Sequence, residues 1–317
     1  MIVESCSARA ALAGNPSDGY GGAVVSVPVS ARSATVTVTA GDARPEAAID
    51  LVEATVRRHA RHTGRRPPAC AIDVTTTIPR SVGLAGSSAI VIALLRALQR
   101  HAGLAPFAPD ELASLALSVE VDELGFAAGL QDRVVQAYDR AMFMRFGPAQ
   151  TGEIAGLVTG TYETLRRPIP GWLTVAVRQS ENEPSQAVHR SLRERHEEGD
   201  PVIAAAMAEL GTAAADAAAA IDAGDMLGLG EAMDRTFDIR NSVMDLRAGQ
   251  VEMVEVARRA GAFANFAGSG GAVSVLAVDE ATSSRATERL VAIGCEIIDV
   301  SSPAAGDCHT PSVPSTP

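Results

Sequence analysis

The sequence contains no lysine, so all 27 of its basic residues are arginine. The absence of lysine excludes a phosphate loop of the Walker type, which requires a Gly-Lys-Ser/Thr sequence. Any cationic side chain in a binding site must then be an arginine or a protonated histidine. Aromatic residues are also scarce, at 3% of the chain against 47% hydrophobic residues, which predicts an aliphatic core.

Acidic residues outnumber basic ones, and the 317 residues carry a formal net charge of −11. Nucleic acids and anionic membranes attract clustered positive charge, so neither is expected as the main partner. The four cysteines form no Cys-x-x-Cys pair, which is typical of reduced thiols. The chain does not begin with a basic segment and an apolar run, and the apolar residues 89–95 are too few to span a membrane. We therefore expect a soluble, cytoplasmic protein.

Helical and strand patterns are mixed along both halves of the chain. This mixture predicts an α+β protein whose layers enclose a cleft. Residues 166–171, which contain two arginines, two prolines and a glycine, are the best linker candidate. The expected division is a first domain over residues 1–167, a second over residues 168–300, and a disordered tail over residues 301–317.

Local patterns predict the individual elements. Residues 23–29 and 34–40 are predicted as two β-strands, the second with apolar residues alternating with threonines. Residues 110–121 are predicted as a helix, followed by a glycine-containing loop over residues 122–131. The alanine-rich residues 202–221 are helical by propensity and are expected to serve packing alone.

A turn-forming stretch runs directly into an apolar one over residues 78–95. Pro79 and two glycines favour a turn, whereas the residues that follow are apolar without a break. Gly86, Ser87 and Ser88 lie at the junction, where a helix leaves its first N–H groups without internal acceptors. These N–H groups and the helix dipole favour an anion, and the two hydroxyls can bind phosphate oxygens or Mg²⁺. The alternative is an ordinary buried helix with a serine cap.

The pattern Pro-x-x-x-Gly-Leu-x-Gly-Ser-Ser-Ala resembles the phosphate-binding loop of the GHMP kinases, the family of galactokinase, homoserine kinase, mevalonate kinase and phosphomevalonate kinase. The loop contains one residue, Ala85, that the loops of most members lack. In this feature it is similar to the loop of the plant glucuronokinases. The resemblance implies a first domain like the second domain of ribosomal protein S5 and a ferredoxin-like second domain around the cleft. It also implies that ATP contacts Pro79, Gly83, Leu84, Ala85, Gly86, Ser87, Ser88 and Ala89.

A second motif runs from Arg9 to Gly22, where glycines surround an Asn-Pro-Ser-Asp sequence. Taken alone it indicates a β-turn held by an Asx interaction. It also keeps register with a motif of galactokinase, which implies that Asp18 binds sugar hydroxyls and that Arg9 lies near the transferred phosphoryl group. Asn15 and Tyr20 are further implied sugar contacts. Galactokinase has a glutamate in place of Asn15, and the uncharged amide suits a substrate that itself carries a carboxylate.

A third motif runs from Glu120 through two glycines to Asp132 and matches the residue types and spacing of galactokinase. Phosphoryl transfer needs an acceptor for the proton of the attacking hydroxyl and a metal ion that neutralises phosphate charge. The resemblance implies that Asp132 is the base and that Ser88 and Glu120 bind Mg²⁺, which prefers oxygen ligands. The alternative for Asp132 is a helix N-cap.

A glycine-rich loop over residues 266–272 resembles the loop that the family places between two strands. Taken alone it indicates a common β-turn, whereas the resemblance implies that Gly268, Ser269 and Gly270 approach the sugar or the triphosphate. Other stretches similar to plant glucuronokinases extend the resemblance over about residues 9–278. Three arginines within these stretches are the candidates for binding a substrate carboxylate: Arg133, Arg190 and Arg247.

The resemblance therefore implies a kinase that depends on ATP and Mg²⁺ and phosphorylates the anomeric hydroxyl of a hexuronic acid, with glucuronate as the first choice. The alternatives are a kinase for a neutral hexose, a heptose or a natural-product sugar, and a catalytically silent sensor of sugar and ATP. The expected partners are a sugar acid and ATP, without nucleic acid or membrane. The chain is expected to be a monomer or a homodimer.

Overall fold

The computed structural model describes residues 1–41, 49–126, 128–182 and 192–300. The predicted tail over residues 301–317 and the candidate Arg190 lie outside the described residues. Within the described ranges, helices pack on two antiparallel sheets, one on each side of the predicted linker. This is the α+β architecture that the sequence predicts.

The first sheet is organised on a long hairpin. Strand β1, Ile2–Ala13, pairs antiparallel with strand β2, Ala23–Ala40. The sequence predicts two strands in the place of β2, and this prediction is wrong. Ser7 pairs with Ser33 and Ala8 with Val29, so the pairing with β1 continues past an irregularity rather than ending there.

Shorter strands complete the first sheet and add a small hairpin. β3, Cys70–Thr76, and β4, Met142–Arg145, pair with β2; β5, Gly152–Ile154, and β6, Leu157–Thr159, pair with each other; and β7, Thr161–Thr164, pairs with β4. The sequence patterns did not predict β5, β6 or β7, because three or four residues are too few to establish an alternation.

Two helices pack on the hairpin, α2, Gly86–His101, and α4, Gln131–Tyr138, and two more pack on α2: α1, Ile49–Thr63, and α3, Pro109–Ser118. α2 is the central one, and its apolar residues are almost all buried against β1 and β2. The helix predicted over residues 110–121 ends earlier than predicted and continues as a π-helical turn, Val119–Glu123. Such turns are frequent at functional sites because they redirect side chains.

The second sheet has the strand order β11-β8-β10-β9. Its strands are β8, Trp172–Val177; β9, Phe263–Phe266; β10, Ala272–Ala277; and β11, Glu296–Asp299. Helices α5, Pro201–Ala223, α6, Met226–Val243, and α7, Ala248–Arg259, connect β8 to β9, and α8, Glu280–Ala292, connects β10 to β11. This order and connectivity are those of a ferredoxin-like βαββαβ unit with extra helices in its first crossover.

Helix α5 is long and apolar enough to cross a membrane by length and composition, with a mean hydropathy of 1.4. It begins where the Asp200 carboxylate accepts a hydrogen bond from the N–H of Val202, 2.9 Å away, and it ends at Gly224, whose φ is 74°. It packs on α6 and β2, and its inner face is buried in the core. Because core helices pass the same test, this is weak evidence for a membrane, and the expected absence of a membrane partner stays a prediction.

The two halves are joined through the end of β1. The N–H of Ala11 donates to Ala267 O over 2.8 Å, and Ser274 Oγ donates to Ala11 O over 2.8 Å. One hydrophobic cluster contains residues of β1 and β2 together with Leu173 of β8 and Ala214 of α5. β1 therefore carries Arg9 into the junction between the two sheets, while the domain boundary at residue 167 stays a prediction.

Candidate active site

The predicted phosphate loop connects β3 to α2. The first hydrogen bond of the helix runs from the N–H of Ala89 to Ala85 O, so the N–H groups of residues 86–88 have no acceptor inside the helix. Ala85, the additional residue, has a φ of 61°, a conformation that costs an L-residue roughly 1–2 kcal/mol. Gln136 Nε2 holds it by donating to Ala85 O over 2.9 Å. The loop thus presents unbonded helical N–H groups, the arrangement that favours phosphate.

Two glycines bring the phosphate loop against the glycine-rich loop between β9 and β10. A Cβ atom on Gly83 would lie 2.7 Å from the backbone nitrogen of Ser269, and one on Gly268 would overlap the carbonyl oxygen of Gly83. The two backbones therefore touch with no side chain between them. Loops that are nearly 200 residues apart in the sequence form one surface.

Arg9 contacts both loops and also Asp132, the candidate base. Its Nε and Nη2 atoms lie 2.7 and 2.6 Å from Oδ1 of Asp132. Its Nη1 donates to Gly83 O over 2.9 Å and also to Ala267 O. The guanidinium is buried, whereas the Asp132 side chain keeps 23% of its surface exposed. A positive charge and a partly accessible carboxylate thus stand side by side at the junction of the loops.

Asp132 is not a helix cap. The N-cap residue of α4 is Leu130, and Asp132 is the second residue of the helix, with its carboxylate directed at Arg9. The N-cap alternative for Asp132 is therefore wrong. Its role as the base stays a prediction, which the pairing with Arg9 supports.

Asp18 shares this site with Asp132. Burial and the neighbouring Asp132 charge raise the pKa of Asp18 to about 7, although Arg9, Arg133 and the backbone N–H of Gln131 oppose the shift. The Asp18 carboxyl group therefore holds a proton far more readily than a free aspartate does. A carboxyl group in this state can accept a hydrogen bond from a sugar hydroxyl or donate one to it.

We expect Asp18→Asn to stabilise the protein more at pH 8 than at pH 5. The folded-state pKa of Asp18 lies above the unfolded value of 3.8, so the folded form is favoured by protonation and loses that advantage as the pH rises through about 7. The gain of the asparagine variant over the wild type should therefore be larger at pH 8 than at pH 5 by about 3 kcal/mol.

Denaturant unfolding of both proteins at pH 5 and pH 8 measures this difference. Asp222→Asn, at an exposed position on α5, is the matched control and should change stability equally little at both pH values. An Asp18→Asn effect that does not depend on pH would contradict the expected protonation of Asp18.

Glu120 is held by groups from two helices. Its Oε1 accepts a hydrogen bond from Ser87 Oγ, 2.7 Å away, and its Oε2 accepts one from Arg133. Ser88 is fully buried, and its hydroxyl turns back to Ala85 O over 3.2 Å. The sequence predicted Ser88 and Glu120 as the metal pair, whereas the oxygens that the fold brings together belong to Ser87 and Glu120. The assignment of Ser88 stays a prediction that the geometry does not favour.

The oxygens of Ser87 and Glu120 fit Mg²⁺. Mg²⁺ takes about six oxygen ligands at 2.0–2.1 Å and usually keeps several waters and substrate phosphates among them. Two oxygens 2.7 Å apart suit neighbouring positions of such an octahedron. Among the described residues there is no group of three or more acidic, histidine or cysteine side chains that could hold a metal alone.

Ser87→Ala is expected to move the Mg²⁺ titration of activity to about 10-fold higher concentration, because it removes one of the two paired oxygens. Ser88→Ala should move it less, since the hydroxyl of Ser88 is bonded within its own helix turn. Glu120→Gln should raise the Mg²⁺ requirement too, but it also removes the closest ion-pair partner of the buried Arg133, so its unfolding must be measured in parallel. A larger shift in Ser88→Ala than in Ser87→Ala would restore the original assignment.

Other predicted sugar contacts have partners within the protein. Asn15 is buried, and its amide donates to Phe266 O over 3.2 Å and accepts from Asn265 over 2.9 Å. Tyr20 packs its ring edge-to-face on His196 at 4.8 Å. The geometry therefore gives Asn15 a role in joining β9 to the second motif, and the predicted sugar contacts of both residues stay predictions.

Three arginines matter for the expected carboxylate. Arg133 is occupied by Glu120 and by Gly129 O, which lies 2.6 Å away. Arg247 is 45% exposed and faces Glu181 at the surface. Sequence reasoning did not select Arg240, a fully buried residue that donates to Gly268 O over 3.0 Å. Its one signal was its place in a stretch that resembles plant glucuronokinases.

Comparison with known proteins agrees with this fold. Residues 50–140 match the family described as GHMP kinases N terminal domain. The structure of Streptococcus pneumoniae phosphomevalonate kinase in complex with phosphomevalonate and AMPPNP superimposes with a TM-score of 0.78 at 12% identity, over 94% of this chain and 98% of that one. Residues 50–140 are therefore similar to a GHMP kinase N-terminal domain, and the chain has the fold of these kinases over nearly its whole length, as predicted.

Similarity to two named enzymes covers a smaller part of the chain. Glucuronokinase 1 of Arabidopsis thaliana is 40% identical over 209 residues, which are 63% of this chain and 55% of that protein. D-glycero-alpha-D-manno-heptose 7-phosphate kinase of Campylobacter jejuni is 26% identical over 98 residues, 31% of this chain and 29% of that one. The chain thus spans little more than half the length of the glucuronokinase that it matches.

Proposed function

We propose that the chain is an ATP-dependent sugar kinase of the cytoplasm that phosphorylates the anomeric hydroxyl of a hexuronic acid, with glucuronate as the first candidate. The observation that carries the proposal is the Arg9–Asp132 pair, hydrogen-bonded to the phosphate loop at Gly83. The 40% identity to Arabidopsis glucuronokinase supports the choice of a uronic acid.

In the proposed reaction Asp132 accepts the proton of the anomeric hydroxyl as that oxygen forms its bond to the γ-phosphorus of ATP. The bond between the γ-phosphorus and the β–γ bridging oxygen breaks, and ADP leaves with that oxygen. Arg9 stabilises the negative charge that spreads over the transferred group and keeps the Asp132 carboxylate oriented. Asp18 holds a neighbouring sugar hydroxyl.

The N-terminus of α2 would bind the phosphates through its unbonded N–H groups. Ser87 and Glu120 would hold Mg²⁺, which when bound neutralises charge on the β- and γ-phosphates. Ser87 is exposed at the start of the helix, so its hydroxyl is accessible from the phosphate side.

The test is ADP release with glucuronate, galacturonate, glucose, galactose and a manno-heptose, each compared with a reaction that lacks sugar. The proposal expects the uronic acids to be preferred. Preference for a neutral hexose would leave a GHMP kinase with another substrate, and preference for the heptose would follow the similarity to the Campylobacter enzyme. ATP and sugar binding without any sugar-dependent ADP would favour the silent sensor.

A further inference from the structure

Arg240 is a buried cation for which the described residues provide no anion. The residue belongs to α6 and has no exposed surface. Its Nη2 donates to Gly268 O over 3.0 Å, and its guanidinium lies 5.0 Å from the centre of the Phe266 ring. Its Nε and Nη1 atoms find no acceptor in the part of the chain that the structure describes, and no carboxylate there forms an ion pair with it.

This arrangement is unfavourable for the protein alone. Buried charges are normally paired, and unpaired N–H groups of a buried cation lose their hydration without replacement. Burial and the positive charge of Arg9 lower the pKa of Arg240 to about 9, and the negative charge of Asp18 only partly compensates. An anion brought to Arg240 would supply the missing charge and the missing acceptors together.

The position of Arg240 connects it to the proposed reaction centre. Arg240 bonds Gly268, the glycine that packs on Gly83 of the phosphate loop. Arg9 donates hydrogen bonds to Gly83 O and Ala267 O at the same contact, and it also holds Asp132. A continuous series of contacts therefore connects Arg240 to Asp132: Arg240 bonds Gly268, Gly268 packs on Gly83, and Gly83 bonds Arg9, which holds Asp132.

One edge of the Arg240 guanidinium, with two parallel N–H groups, remains available to bind a carboxylate. Nη2 uses one of its two hydrogens for Gly268, so its second hydrogen remains beside a free N–H of either Nε or Nη1. Two parallel N–H groups are the geometry that binds a carboxylate in a bidentate manner. Because Arg240 has no exposed surface, a ligand reaches it only when the surrounding loops separate.

We propose that Arg240 binds the carboxylate of the sugar acid and is the residue that selects a uronic acid over a neutral sugar. This inference rests on the proposed function, because it presupposes that the substrate carries a carboxylate. It also replaces the candidates drawn from the sequence within the described residues, since Arg133 is committed to Glu120 and Arg247 lies at the surface.

The test compares kcat/KM for glucuronate and for glucose in the wild type, in Arg240→Gln and in the control Arg235→Gln. Arg235 lies on the same helix but is exposed and pairs with Asp216. In Arg240→Gln we expect the glucuronate value to fall at least about 100-fold, while the glucose value changes much less. Arg235→Gln should keep the wild-type ratio of the two values.

A structural role of Arg240 would lower both values alike, and an unchanged ratio in Arg240→Gln would overturn the inference. If that variant does not fold, Arg240→Lys serves in its place, because it keeps the charge but loses the planar fork; it should lower the ratio by about 10-fold. A wild type that does not phosphorylate glucuronate would overturn the proposed function itself, so the two failures are distinguished by the wild-type measurement.

Discussion

Replacing Asp132 with asparagine is expected to lower kcat by about 10²–10⁴-fold while leaving the fold intact. The amide has the shape of the carboxylate and can still accept a hydrogen bond from Arg9, so the contacts of Arg9 with both loops should persist. It cannot take up the proton of the attacking hydroxyl. The loss should therefore lie in turnover, with nucleotide affinity changed little.

The matched control is Asp139→Asn, at the other end of the same helix. Asp139 is exposed and has a φ of 50°, a conformation that asparagine adopts readily. This variant should keep the wild-type kcat and stability. Activity of Asp132→Asn within a few-fold of the wild type would remove Asp132 from the role of the base.

Gly268→Ala is expected to separate the two loops and to cost both activity and stability. Its Cβ would overlap Gly83 O, which is a backbone atom that also accepts a hydrogen bond from Arg9. Overpacking of this kind costs about 1–3 kcal/mol. Because displacement of a reacting group by about 1 Å can cost 100-fold in rate, kcat/KM should fall by about that factor or more.

Gly152→Ala is the control for this prediction. A Cβ on Gly152 would lie 3.8 Å from the nearest side chain, an ordinary contact, and the residue does not need a positive φ. Thermal unfolding and steady-state kinetics of both variants measure the contrast. A Gly268→Ala protein with wild-type stability and rate would mean that the contact between the loops is not needed for function.

Much of the fold could be predicted from local sequence patterns. The junction at Gly86 marks the start of α2, and the glycines at residues 268, 270 and 271 mark the connection between β9 and β10. Such signals depend on backbone angles and helix ends, which a few neighbouring residues determine. The resemblance then supplied the relation among the three motifs that local patterns do not contain.

Other features of the site depend on contacts between residues that are far apart in the sequence, and local patterns do not predict them. Whether Ser87 or Ser88 faces Glu120 is decided by the left-handed Ala85 and by the π-helical turn that carries Glu120, neither of which has a clear sequence signal. In the sequence, nothing local distinguishes Arg240 from the other arginines. Its burial beneath Gly268 follows from the packing of α6 on β9, so no local pattern could single it out.

The most direct test of the proposed function is the structure of the product. Glucuronate, ATP and the purified protein should be incubated with Mg²⁺ and followed by phosphorus NMR. The account predicts equal amounts of ADP and a sugar phosphate whose phosphorus couples to the anomeric proton of an intact uronic acid. A phosphate on another carbon, or no phosphorylated uronic acid while a neutral sugar is converted, would contradict it.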